Sequence, residues 1–156
     1  MKILTHCILT LLMPLIVRWA RTEEEDILRY GQPLPTHLVA VARRMGIRKP
    51  EEVRLLKVAQ ILPPPQVLLR WASTYFGFPS SSTIGLTLRY GIFVRQEYWE
   101  SDALIIHELA HTLQYERFGG LRPFLMQYLT ECLTVGYSSS PLEIEAVEME
   151  VKFREP

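Results

Sequence analysis

Two histidines four positions apart, with a carboxylate beside the first, constrain this chain more than anything else in it: His107-Glu108-Leu109-Ala110-His111. On a helix of about 3.6 residues per turn the two imidazoles lie one turn apart on one face, close enough to reach a single metal ion. The surroundings predict such a helix. No Pro or Gly interrupts residues 102–118, and Leu104, Ile105, Ile106, Leu109, Ala110 and Leu113 are helix formers or apolar at helical spacing. Ser101 serves as an N-cap and Gly119-Gly120 as a stop. The segment is largely apolar around its middle, where His107, Glu108, His111 and Gln114 stand out, the pattern of a buried helix whose few polar groups serve a site. Two core histidines bonded to carbonyls would give no reason for Glu108 beside them. The spacing instead suits Zn²⁺, which takes neutral imidazole nitrogens, keeps one position for water and lowers that water's pKa to roughly 7. Glu108 is then the general base.

A catalytic zinc site needs a third protein ligand. The extended pattern with a Gly three residues and a His six residues after His111 is absent, because Gln114 and Arg117 stand there. The remaining histidines, His6 and His37, are remote in sequence. A carboxylate is left, with Glu116, Glu131, Glu143, Glu145, Glu148 and Glu150 downstream. Ser140-Pro141-Leu142-Glu143 is also a capping box with Pro141 at the first helical position, so capping and ligation compete for Glu143. Glu145 faces roughly the other side of the same helix. Glu131 lies in an otherwise apolar helix, where burial without a partner is costly. All three stay open. Gln114, one turn beyond His111, either orients a ligand or caps a polar cluster.

At 156 residues with 48% apolar content, the chain fits one domain with a real core. Lys plus Arg equals Asp plus Glu at 17 each, and no basic run is interleaved with aromatics, so nucleic acid is not an expected partner. Cys7 and Cys132 lack a C-x-x-C spacing and read as small buried hydrophobes, compatible with a reducing compartment. Residues 1–21 form an apolar leading segment before a single domain over 22–156. Its stretch Ile3 to Val17 rises about 22 Å as a helix, short of the roughly 20 residues a bilayer crossing needs. Val17-Arg18-Trp19-Ala20-Arg21 offers no clear cleavage site. Two readings remain, a helix buried against the domain or peripheral membrane contact through residues 3–19, with Trp19, Arg18 and Arg21 at the headgroups. The expected location is cytoplasmic or membrane-associated.

Local signals order the rest. Thr22-Glu-Glu-Glu25 is a capping box opening a short helix to Gly31, and Pro33 and Pro35 force an extended link. Thr36 caps a helix through Met45 that stops at Gly46, and Val53–Ile61 has the character of a strand ended by Pro63-Pro64-Pro65. A helix is expected over Gln66–Phe76 and a loop over Gly77–Ser82. Ile84, Leu86 and Leu88 then alternate with Gly85, Thr87 and Arg89, and Gly91 marks a hairpin or bulge before Ile92-Phe93-Val94. Helical spacing returns from Leu121 to Val135, and a last helix starts at Ser140-Pro141.

The pentapeptide, Gln114-Tyr115-Glu116, Phe118-Gly119, the aromatic-rich helix and Pro141-Leu-Glu143-Ile-Glu145-Ala146 together resemble the small bacterial zinc-peptidase-like proteins of the gluzincin group. Thr87-Leu-Arg-Tyr-Gly-Ile92 looks like the strand region before the helix in those proteins, so the resemblance spans roughly residues 83–150. It implies an α+β fold, mostly helical: a compact zincin-like domain with a small sheet packed beside the His-Glu-x-x-His helix. It puts the third ligand on Glu143, with His107 and His111, and the activity on zinc-dependent hydrolysis of a peptide or protein substrate. An extended substrate would pair with the edge of the Thr83–Arg95 region. Larger relatives supply a cationic or phenolic oxyanion donor after the ligand helix; here Lys152 and Arg154 are the only cations after Glu143, and Tyr115, Tyr128 and Tyr137 are the phenolic candidates. A non-catalytic zinc-binding domain serving stability or partner binding is the alternative.

Overall fold

The computed structural model describes residues 2–62 and 82–154, with side chains from His6 onward. The triple proline, the stretch 66–76 expected to be helical and nearly all of the loop expected over Gly77–Ser82 fall outside those residues. In chain order the described elements are α1 (Lys2–Tyr30), β1 (Gln32–Pro33), α2 (Thr36–Met45), β2 (Arg54–Val58), β3 (Gly85–Leu88), β4 (Gly91–Arg95), α3 (Asp102–Phe118), α4 (Leu121–Val135) and α5 (Pro141–Arg154), with short 3₁₀ turns between some of them. The result is mostly helical with one small mixed sheet, an α+β arrangement.

The strands run in the order β1-β2-β4-β3. β2 lies parallel to β4, with Leu55 opposite Ile92, while β1 on β2 and β3 on β4 are antiparallel. The period-two rule divides their side chains between two cores. Leu55, Ile92 and Val94 pack with Leu38 and Ala42 of α2 and with Ile105, Ile106 and Leu109 of α3. Leu86 and Leu88 pack instead with Leu9, Met13 and Ile27 of α1 and with Phe124 and Tyr128 of α4. Helices therefore cover both faces, and three consecutive residues of β3, Leu86, Thr87 and Leu88, are all buried. β3 stands at the sheet edge beside α3.

α1 differs most from expectation. It runs unbroken through the Thr22-Glu25 capping box, because Thr22 Oγ1 bonds back to the Arg18 carbonyl one turn earlier (3.1 Å) instead of capping a new helix. Arg18 to Glu25 is rich in good helix formers, so nothing local stops propagation. Pro14 is accommodated on the exposed side. Leu9, Met13 and Ala20 are buried in the same core as α4, so the N-terminal segment packs against the domain. Among the described residues no helix is long and apolar enough to cross a membrane. Cys7 is exposed, contrary to the reading of both cysteines as buried, because it points away from that seam; Cys132 is half-buried, and burial first, then the Glu143 charge, pushes its thiol up to about 11.

Two other local signals are refined. Pro35 takes the N-cap place of α2 with no side-chain cap, so Thr36 is the first helical residue and not the cap, whereas the stop at Gly46 holds with φ 100°. The strand expected over Val53–Ile61 pairs only from Arg54 to Val58. The hairpin turn is Arg89-Tyr90. Arg89 sits at φ 60°, a left-handed conformation that costs a side-chain-bearing residue of order 1–3 kcal/mol. Buried Glu24 of α1 holds it there, accepting from Arg89 Nε at 2.8 Å and from the Tyr90 amide at 3.4 Å.

The packing of α1 yields a direct contrast. Met13→Ala, at a fully buried position, is expected to cost about 2–5 kcal/mol, while Leu11→Ala, at a position 78% exposed, is expected to stay within about 0.5 kcal/mol. Urea unfolding reads both. Equal midpoints for the two variants would mean that α1 does not belong to the core.

Candidate metal centre

α3 begins where Ser101 accepts from the Leu104 amide (3.2 Å) and ends where Gly119 turns left-handed at φ 86°. Between those caps His107 and His111 share a face, their ring centroids 5.0 Å apart. The competition over Glu143 is resolved by the Tyr137 carbonyl, which accepts the Ser140 amide (3.1 Å) that a capping-box glutamate would take. Glu131 Oε2, in the last turns of α4, accepts from Ser140 Oγ (2.7 Å) and from the Leu142 amide (3.0 Å), and so caps α5 as well. Glu143 turns inward. Its Oε2 lies 3.3 Å from His107 Nε2, its Oε1 lies 3.3 Å from His111 Nε2, and Tyr128 donates its hydroxyl to Oε1 at 2.6 Å.

The other candidates stand elsewhere. Glu145 takes two hydrogen bonds from Arg117, each 2.6 Å, and one from Gln114. Glu116 accepts from the Tyr90 hydroxyl and the Arg48 amide, tying α3 to the loop after α2. Glu148 is exposed, as is His6, and His37 pairs with Asp102 at 2.9 Å. Glu150 lies near the centre but on its outer side, 3.7 Å from His107 Nδ1. It faces the far nitrogen of that ring, where an outer carboxylate raises ligand basicity.

Donor atoms of His107, His111 and Glu143 all lie within 4.8 Å of one another. An unprotonated imidazole nitrogen and a carboxylate oxygen are both acceptors, so a cation among the three groups, either a proton or a metal, relieves the contacts at 3.3 Å. Around a tetrahedral zinc with bonds of about 2.0–2.1 Å, neighbouring donors stand about 3.3–3.4 Å apart, the separation each imidazole Nε2 keeps from its nearer Glu143 oxygen. The charges respond accordingly. Burial pulls the His111 pKa down, but the Glu143 and Glu108 carboxylates outweigh it and the net shift is upward. Burial pushes the Glu143 carboxyl up, and the two histidines with Tyr128 overcome it, holding the group well below the usual carboxylate range.

Glu108 is buried beside the trio and turned toward β3. Thr87 Oγ1 lies 2.6 Å from its Oε2 and 3.0 Å from its backbone carbonyl, and Tyr115 donates to the Thr87 carbonyl at 3.2 Å. The approach requires Gly85: a Cβ there would lie 2.8 Å from Glu108 Cδ. His107, Glu108, His111 and Glu143 line one wall of a cleft of about 830 Å³, and Leu9 and Ile16 of α1 and Leu125 and Leu129 of α4 line its apolar part. Thr87 and Gly85 were not singled out from the sequence as site residues. Their signal was present in the strand phase, which sets a glycine and a hydroxyl side by side on the face opposite Leu86 and Leu88.

In comparisons with protein-family models, with curated proteins and with solved structures, nothing matches this chain. The gluzincin likeness therefore stands on the motif residues alone.

Substitution separates the carboxylates. Glu143→Ala is expected to lower zinc affinity by more than the 10–100-fold typical of losing an outer partner, and Glu131→Ala to keep zinc uptake while losing about 1 kcal/mol of helix capping; competition with a chelating dye reads the affinities. Undiminished uptake by Glu143→Ala would overturn the ligand assignment. pH gives a second handle. The raised His111 pKa stabilises the metal-free fold fully below about 6.5, and that gain fades as pH rises through the shifted value. The depressed Glu143 pKa stabilises above about 4.3, and that gain fades as pH falls. This pair alone therefore gives metal-free protein a maximum between those values. The zinc-induced rise in Tm should grow from about pH 5.5 to about pH 8, as protons cease to compete for the nitrogens. A rise in Tm independent of pH would count against the imidazole ligands.

Proposed function

We propose that this protein is a zinc-dependent hydrolase of peptide bonds, built on a compact zincin-like domain of gluzincin type. The observation that carries this reading is Glu108: a carboxylate next in sequence to one metal-binding histidine, facing the same cleft, yet separate from the ligand trio. Structural zinc has no use for an adjacent base and closes all four positions with protein donors. Among the described residues three donors meet here, which leaves a position for substrate or water.

A zinc ion held by His107, His111 and Glu143 supplies Lewis acidity toward a carbonyl and toward water. The chain's own groups handle the proton. Thr87 occupies Oε2 of Glu108, so Oε1 is the oxygen that accepts a proton from the attacking water and returns it to the leaving amine. β3, at the sheet edge, offers backbone groups to an extended peptide, and the apolar cleft accommodates its side chains. Exposed Leu11 and Leu15, with Arg18 following on α1, support peripheral contact with a membrane surface.

The second reading is a zinc-binding domain without turnover, serving stability or a partner. One observation favours it. Tyr128 donates its hydroxyl to Glu143 and Tyr115 donates to the Thr87 carbonyl, while no Lys or Arg is among the described residues that line the cleft. Tyr98 and Tyr137 line the cleft as well.

Unfolded casein or a peptide library, with and without chelator between about pH 6 and 8, decides between the two. Chelator-sensitive cleavage is expected, and Glu108→Gln should lower it by about 10²–10⁴-fold while zinc stays bound. No cleavage by the parent protein would leave the second reading; an unchanged rate in Glu108→Gln would remove the base.

A further inference from the structure

Gln114 is fully buried, and both hydrogens of its side-chain amide are engaged. Nε2 donates to the Leu142 carbonyl and to Glu145 Oε2, each at 2.9 Å, and Oε1 lies 2.8 Å from His111 Nδ1. The two partners of Nε2 are oxygens that only accept. Turning the amide over would set Oε1 against both of them, so its orientation is fixed by the network. That orientation decides the imidazole in turn. Oε1 can only accept, so Nδ1 of His111 carries hydrogen, and the neutral ring presents an unprotonated Nε2 to Glu143.

We propose that Gln114 is a positioning residue that fixes the His111 tautomer, with Nε2 kept free toward Glu143, and that Glu145 and Arg117 hold Gln114 in that orientation from the protein surface. The chain of contacts is continuous. Arg117, half exposed, grips Glu145 through two hydrogen bonds of 2.6 Å, Glu145 accepts from Gln114, and Gln114 accepts from His111. Leu142 and Glu145 both belong to α5, the helix that carries Glu143. One buried amide thus sets the ring of one ligand and the seat of another.

The inference rests on the metal-centre reading for its purpose, but the tautomer can be measured without metal. Ring ¹⁵N shifts of His111 in metal-free protein, recorded above the titration of that ring, should report hydrogen on Nδ1 in the parent. In Gln114→Leu, which removes the acceptor, hydrogen on Nε2 should appear, and zinc affinity should fall about 10–100-fold. Glu145→Ala alters a partly exposed side chain and leaves the Leu142 carbonyl in place. It should shift the same signals in the same direction, with an affinity loss within about tenfold. A merely structural role for Gln114 would lower stability and leave the tautomer unchanged. Nδ1–H shifts that persist in Gln114→Leu overturn the proposal; if that variant fails to fold, parent-like shifts and affinity in Glu145→Ala overturn it. A tautomer that moves as expected in a protein that takes up no zinc supports the positioning role and removes the metal reading.

Discussion

A carboxylate 3% exposed between two imidazoles is the constraint around which this molecule is arranged. Taking such a group out of water costs several kcal/mol unless a cation and hydrogen bonds compensate it, and breaking a buried pair of this kind is more damaging than never having had one. Three helices therefore converge on Glu143. α3 brings His107 and His111, α4 brings the Tyr128 hydroxyl, and α5 brings the carboxylate itself. Glu131 belongs to the same arrangement: it caps α5, the helix that carries Glu143. The Tyr137 carbonyl takes the Ser140 amide and leaves Glu143 free to turn inward.

Two separate systems position the candidate site, and they meet on α3. The trio of His107, His111 and Glu143 depends on helix packing. Glu108 depends on the sheet, through the Thr87 hydroxyl and the bare backbone at Gly85. The sheet edge is in turn pinned by α1, whose buried Glu24 holds Arg89 in its left-handed turn. A shift of α1 would be felt first at the hairpin and then at Glu108, with the His107, His111 and Glu143 trio less affected.

Much of this was legible in the sequence where the signals are local. Helix α3 was readable to within a residue at both ends because Ser101 and Gly119 act on their nearest neighbours, and the stop of α2 at Gly46 and the start of α5 at Pro141 follow the same logic. Where two local meanings compete, the sequence is silent. Thr22 followed by glutamates is a capping box at a helix start and an ordinary i to i−4 back-bond inside one; the core contacts of Leu9, Met13 and Ala20, which are distant in sequence from their partners, accompany the second. Ser140 to Glu143 carries the same ambiguity, settled by the Tyr137 carbonyl that takes the Ser140 amide. Thr87 and Gly85 were on the correct face of their strand, but the residue opposite them belongs to another element, and strand phase carries no such information.

Contact separation along the chain gives the centre a consequence for folding order. His107 and Glu143 stand 36 positions apart, and Arg54 and Gly91, opposite each other on the parallel strands, 37 apart, so the donor trio and the parallel pairing close loops of nearly equal length. Loop-closure entropy grows only with the logarithm of length, so neither precedes the other on that account. Thr87 and Glu108, 21 positions apart, close a shorter loop than either. The contact that seats Glu108 is thus the least costly of the three to close, and the strand can hold that carboxylate before the groups around Glu143 have met.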